Sequence, residues 1–407
     1  MTDMAPLPLP EARRAAILLA VASAIGGSAG PIAIGTGGLV GMALLPHDQM
    51  ALATIPVSAY VLGSAAASVP AALLMRRVGR RTGFITGTAL GLAGALIVTA
   101  AVMQASFWGF TLGMALLGCA GAFIQQYRFA AADAAEPGFK PRAIAWVMAG
   151  GVVTGVVGPQ LAIHATGLLP GTPAAGPFLA LAGLFVIAAI ILSQLKVPPP
   201  PPISATYTGR PVLSIVLKPK FLIALLAAVS SYALMSLVMT ATPLAMVEHH
   251  HSHADAQTGI QWHVIAMFAP SFFTGGLIAR FGKPGIAGAG LLLIAASATV
   301  ALLGTSLWHF WTALILLGVG WNFGFIASTA MVAELYRPEE AFRVQAMNEF
   351  ILFSIVALAS FSSGGILVAS GWTVVNLLVY PIVAISVVLI VSQAIVDRNS
   401  AKGTAAA

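Results

Sequence analysis

Gln125 to Pro159, QQYRFAAADAAEPGFKPRAIAWVMAGGVVTGVVGP, is the stretch from which the fold can be worked out. It opens with polar residues and a charge inside an otherwise apolar run. It then turns through a charged loop, Asp133 to Arg142, and re-enters apolar sequence studded with glycine. A weaker copy of its middle lies downstream: Ala132-Asp133, Pro137 and Arg142 are matched 201 residues later by Ala333-Glu334, Pro338 and Arg343. That offset is about half of the 407-residue chain, so the sequence reads as two related halves.

Composition sets the solvent. The chain is 59% hydrophobic and 8% charged, with a mean hydropathy of +0.95. A soluble domain carries roughly 25% charged residues, so this chain reads as a polytopic membrane protein. Its one cysteine, Cys119, lies in an apolar run and excludes a disulfide framework or a cysteine-based metal site. The net charge of +7 is dispersed between apolar segments, which points to membrane topology and away from nucleic acid. The N-terminal MTDMAPLPLPEARR lacks an apolar core followed by a small-residue cleavage site, so no cleaved signal peptide is expected.

Apolar stretches of the roughly 20 residues needed to cross a bilayer recur twelve times: 15–42, 49–75, 82–103, 108–133, 143–166, 174–195, 219–247, 259–280, 285–304, 309–335, 345–369 and 373–396. The expected organisation is an all-α integral membrane protein of twelve transmembrane helices in two pseudo-symmetric six-helix bundles. Its parts are a cytoplasmic tail 1–14, a bundle 15–195, a proline-rich cytoplasmic linker 196–218, a bundle 219–396 and a cytoplasmic tail 397–407. Five consecutive prolines, Pro198 to Pro202, make the linker stiff and extended. With the N-terminus cytoplasmic, all nineteen Lys and Arg residues fall at cytoplasmic loops, termini or helix ends, as the positive-inside bias requires. All eight histidines fall toward the other side.

Span composition sorts the helices by surroundings. Spans three, six, nine and twelve contain almost nothing polar, whereas four, eight, ten and eleven carry Gln, Asn, His, Arg or Glu at depth. A polar group in hydrocarbon is costly, so the second set faces protein or water.

The loop between spans two and three, Ala72 to Arg81 (ALLMRRVGRR), resembles the major facilitator superfamily pattern G-x-x-x-D-R-x-G-R-R. Arg77, Gly79, Arg80 and Arg81 fit; Ala72 replaces the first glycine and Arg76 the acid. Arg280 and Gly282 repeat Arg77 and Gly79 in the second half, 203 residues on. The resemblance implies two bundles rocking about a central cavity, with spans 1, 4, 7 and 10 lining it and 3, 6, 9 and 12 facing lipid. Gly150, Gly151, Gly155, Gly158 and Pro159 partly match a glycine-rich pattern of drug/proton antiporters, the alternative being a glycine packing face. YRFAAAD and QWHVIAMFAPSFFTG are similar to a group of bacterial permeases that includes riboflavin importers.

Several residues can carry chemistry. Arg128 lies five residues, about 7.5 Å, deeper than Asp133, with Gln125, Gln126 and Tyr127 deeper still. These four are the first candidates for substrate binding, against a fixed structural ion pair. Glu349 is the one acid clearly inside a span, and a carboxylate there can exchange protons with the transport cycle. Glu349 and Arg128 are therefore the proton-coupling candidates, against a partner role at the inner gate. Asp133 and Glu334 suggest intrabundle latches, Arg77–Asp133 and Arg280–Glu334, with Arg142 and Arg343 in the same gating and structural set. Trp321 and Asn322 of span ten, Tyr232 of span seven and His263 of span eight mix aromatic faces with hydrogen-bonding groups and suit a flat organic solute. A structural role for His263 is the heavier alternative. His249 to His253 read as a solvated loop more than a metal site.

No G-x-x-x-x-G-K-[ST] occurs, which excludes a phosphate-binding loop, and no cofactor or metal is expected. The expectation is a monomeric secondary transporter of the bacterial cytoplasmic membrane. It would move a small organic solute by alternating access, coupled to protons, with a slight lean to efflux and vitamin-like uptake as the alternative. A sensor on a transporter scaffold would add a large soluble appendage, and a membrane enzyme would gather acids or histidines at one depth.

Overall fold

The structure, a computed structural model, describes residues 7–136, 138–198, 209–337 and 340–406. Pro137, Pro338 and Pro199 to Pro202 lie outside these residues, as do residues 1–6. Among the described residues the secondary structure is helical. The first half holds α1 (Leu9–Gly26), α2 (Ala29–Ala43), α3 (Ile55–Val78), α4 (Arg80–Met103), α5 (Phe107–Gln125), α6 (Tyr127–Ala134), α7 (Lys140–His164) and α8 (Gly176–Ser193). A short α9 (Val212–Val216) follows the linker. The second half holds α10 (Pro219–Glu248), α11 (His253–Phe268), α12 (Ser271–Phe281), α13 (Lys283–Leu303), α14 (Leu307–Ala333), α15 (Ala341–Leu377) and α16 (Val379–Ala406).

These sixteen helices resolve into the expected crossings. α1 with α2, and α5 with α6, each run as one broken span; α11 and α12 form a span bent by 46°. The last apolar stretch, Arg343–Asp397, is 55 residues long and breaks at Gly371, whose φ is 78°. It is far longer than the roughly 20 residues of one crossing, so it supplies the last two. Helix begins at Leu9 and continues to Ala406, so it extends into the segments 1–14 and 397–407 expected as tails. Proline at the first or second helical position starts α7, α8, α10 and α13, where its missing N–H costs nothing.

Gly79 and Gly282 show that the halves repeat. Their backbones sit at φ 82°, ψ 159° and φ 77°, ψ 157°, a region that side-chain-bearing residues avoid. Each turns the chain from one span into the next, which gives the motif glycine its physical reason. Arg77 and Arg280 are not the latch residues. Asp133 accepts from Arg80, Nη2 to Oδ2 at 2.5 Å, and Glu334 pairs with Lys283. Arg80 and Lys283 are themselves 203 residues apart and open α4 and α13 directly after the glycine turn. The latch is repeated, three residues on from where the sequence motif put it and across the glycine turn. Arg77, Arg81, Arg142, Arg280 and Arg343 are exposed, with Arg280 lying over the Phe281 ring at 5.2 Å.

These pairs mark one end of the molecule, the basic end; the other is the histidine end. At the basic end Arg210 grips Glu340 through Nε and Nη2 at 2.8 and 2.7 Å and also donates to the Leu335 carbonyl. Glu340 is fully buried and paired, which holds its carboxyl well below the usual carboxylate range. The linker is thereby fastened to the start of α15.

Apolar cores form within each half, around Phe84, Phe110, Phe178 and Phe185 in the first and around Phe221 and Phe310 in the second. Between the halves α7 packs on α11 and α3 on α15, which are counterparts under the repeat. Among the described residues three hydrogen bonds join the halves toward the histidine end. Gln160 Nε2 donates to Gln261 Oε1 at 2.8 Å, Ser58 to Ser360 at 3.3 Å, and Thr54 to the Phe361 carbonyl at 3.3 Å.

Candidate functional site: a cavity between the halves

A cavity of about 340 Å³ lies between the halves, within the range of about 300–1,000 Å³ usual for small-molecule sites. Its walls come from α1, α2, α3, α5, α6 and α7 on one side and from α10, α11, α14 and α15 on the other. Helices α4, α8, α13 and α16 contribute nothing to it. They expose apolar side chains such as Leu96, Ile190, Leu292 and Ile385 on the outer surface. The polarity of the spans therefore anticipated the periphery and the lining by spans four, eight, ten and eleven, while the first, second, fifth and seventh spans also line the cavity.

Five of the candidate residues meet here: Gln125, Arg128, Tyr232, Trp321 and Glu349. Gln125 ends α5 and Arg128 follows the break at Gln126, so both project from a local irregularity in the span. Gln125 Nε2 donates to Ser64 Oγ at 3.3 Å. Gln125 and Glu349 are exposed within the cavity although both lie inside spans, so water reaches them. Arg128 and Glu349 face the cavity from opposite halves and each feels the other's charge. Neither belongs to an ion pair among the described residues. Arg128 Nε is buried without a hydrogen-bond partner, and its guanidinium rests 4.8 Å from the centre of the Phe129 ring.

Four candidates lie elsewhere. Tyr127 is 1% exposed and packs edge-on against Phe84 at 4.7 Å, in the core of the first half. Gln126 stands at the N-terminal boundary of α6, makes no side-chain cap bond there and is absent from the cavity wall. Asn322 is fully buried and braces the bend between α11 and α12: its Nδ2 donates to the Met267 carbonyl and to Ser271 Oγ, and its Oδ1 accepts from Thr274. Pro270 interrupts the backbone ladder there, and Asn322 supplies a donor to a carbonyl that the bend frees. His263 is fully buried, with Nδ1 at 2.7 Å from the Leu314 carbonyl. His251 meets the Thr305 carbonyl at 2.8 Å, and no cluster of three metal-ligating side chains occurs among the described residues.

The glycines of α7 are packing surfaces. A side chain at Gly150 or Gly158 would strike the Ala20 or Ser28 carbonyl of the same half, and one at Gly151 or Gly155 would press on Phe268 or Ile265 of the other. Pro159 follows inside α7. Sequence reading missed Tyr60, Ser64, Phe325 and Phe353, all on the cavity wall. The signal available was spacing: Tyr60 with Ser64, and Trp321 with Phe325, are four apart and share a helix face.

A wet, charged cavity enclosed by two repeated bundles of membrane-crossing helices defines a membrane transporter. The chain belongs to the Major Facilitator Superfamily, whose sequence model matches residues 16–261 and again 224–406. It is 48% identical over 397 residues to the riboflavin transporter RfnT of Brucella anthropi, covering 97% of this chain and 98% of that one. Two uncharacterised transporters of the same type from Bacillus subtilis, YddS and YdeG, are 29% and 28% identical over 87% and 90% of this chain. The family is one of transporters, not enzymes, and the chain is a multi-pass membrane protein that carries a small-molecule substrate.

Proposed function

We propose that the protein imports riboflavin or a close flavin-like solute across a bacterial cytoplasmic membrane, as a monomer, by proton-coupled alternating access. The near-full-length similarity to a riboflavin transporter carries the substrate class. It favours uptake over the lean to efflux, whose support, the glycine run of α7, is accounted for by packing. The positive-inside bias supports a cytoplasmic location for the basic end. One chain completes the cavity, which supports a monomer.

In this reading the three bonds toward the histidine end hold the outer side shut while the cavity communicates with the cytoplasm. Glu349 is the proton site. When it is ionised, Arg128 across the cavity is attracted to it and the halves are drawn together. When it takes up a proton that attraction is lost, so the state of the carboxyl biases which side opens. Purified protein in liposomes tests this. Riboflavin uptake should accelerate with an inward proton gradient, and Glu349→Gln should bind riboflavin yet lose the acceleration. Gradient-independent uptake in the wild type would remove proton coupling, and an absence of riboflavin binding would remove the substrate.

A further inference from the structure

The two walls of the cavity differ in chemistry. The second half presents an aromatic surface. Trp321 and Phe325, four apart on α14, stack with ring centres 5.2 Å apart and planes at 15°. Tyr232 of α10 stands edge-on to both, at 5.3 and 5.2 Å, and to Phe353 of α15 at 5.7 Å. The first half presents polar groups, Ser64, Gln125 and Arg128, beside the single ring of Tyr60 and small residues such as Gly30 and Gly121. One polar atom on the aromatic side is unexplained. Trp321 is 8% exposed and its Nε1 is buried without a hydrogen-bond partner. Buried N–H groups in folded proteins almost always have an acceptor, and Trp321 lines the cavity.

We infer that the cavity holds its solute in one orientation, with Trp321 as the residue that selects the ring. A flat heteroaromatic ring lies against Trp321 and Phe325, where offset or edge-on aromatic contacts are favourable. The indole N–H donates to a carbonyl or nitrogen acceptor on that ring. A hydroxylated chain extends to the first-half wall, where Gln125 and Ser64 exchange hydrogen bonds with it. This rests on the flavin-like reading above and adds to it which end of the molecule each half recognises. A site built to hydrogen-bond a ring acceptor also rejects flat hydrocarbons of similar size, since they would leave the N–H unmatched.

Binding to purified full-length protein, read from flavin fluorescence, separates the possibilities. The ligands are riboflavin and the same ring bearing a methyl group in place of the sugar-alcohol chain. Trp321→Phe keeps an aromatic ring and removes the donor; it should weaken both ligands about tenfold, the worth of one hydrogen bond of about 1.4 kcal/mol. Gln125→Ala should weaken riboflavin several-fold more than the chainless ring. Wild-type affinity for both ligands in Trp321→Phe, or equal loss for both in Gln125→Ala, overturns the orientation and leaves the flavin reading standing. Failure of the wild type to bind either ligand overturns both.

Discussion

The basic ends of the two halves and the cavity walls of the two halves make an instructive contrast. At the basic end each half has the same glycine turn, a cation opening the next helix (Arg80 or Lys283) and an acid at the end of the fourth or tenth span (Asp133 or Glu334). At the cavity the repeat has decayed: Gln125 to Arg128 correspond to Ile326, Ala327, Ser328 and Thr329, and the second half offers aromatic rings instead. The shared parts hold each bundle's loops, a task that is identical in both halves. The unshared parts line the cavity, and in the proposed function they meet an asymmetric solute from opposite sides, so nothing would keep them alike.

Substitutions can break this contrast. The largest effect is expected in the cavity. Arg128→Met leaves Glu349 without its opposing charge and should cut proteoliposome flux by about 100-fold, on the scale of a separated charge pair. Exchanging the two, Arg128→Glu with Glu349→Arg, should restore part of it. Next comes the first-half latch, whose side chains are 8% and 35% exposed. Asp133→Asn should cost about 1–3 kcal/mol of stability by thermal unfolding, and exchanging Asp133 with Arg80 should restore more than exchanging it with Arg77. The Arg210–Glu340 clamp gives a pH signature. Because the folded carboxyl titrates below its unfolded value of about 4.3, its stabilisation is complete above that pH and is lost as pH falls toward the folded value. Glu340→Gln should lower the melting temperature at pH 7 and flatten the acid limb of the profile. In the second-half latch, 28% and 63% exposed, Glu334→Gln should cost less than about 1 kcal/mol; a cost equal to that of Asp133→Asn would remove the asymmetry between the latches. Smallest is Gln160→Ala, which removes the neutral hydrogen bond to Gln261 and an exposed one to His164 at a cost of about 0.5 kcal/mol. It should raise maleimide labelling of a Ser236→Cys reporter from the histidine end, in a Cys119→Ser background.

Much of the architecture was legible because the bilayer leaves few solutions. Chain length between charges, the dispersal of arginines and the polarity of spans at depth give the helices, their pairing into halves and the peripheral set. The site was legible only in part. Asn322 and Glu349 share depth and polarity in the sequence, yet one braces a bend and the other faces water. The deciding feature was Pro270, fifty-two residues away from Asn322 in the chain and adjacent in space. Arg77 and Arg80 are three apart beside the same glycine, and only the turn conformation selects the one that reaches Asp133. Phe325 and Phe353 look like any apolar residue of a span until three helices bring them round Tyr232.

The bonds that join the halves toward the histidine end, Gln160–Gln261, Ser58–Ser360 and Thr54–Phe361, are all between neutral groups. Parting them carries no charge through the membrane's electric field, where each elementary charge is worth about 2.3 kcal/mol per 100 mV. In the proposed cycle, opening on that side would then be electrically silent, and the voltage dependence of turnover would isolate what Arg128, Glu349 and the proposed coupling proton do together.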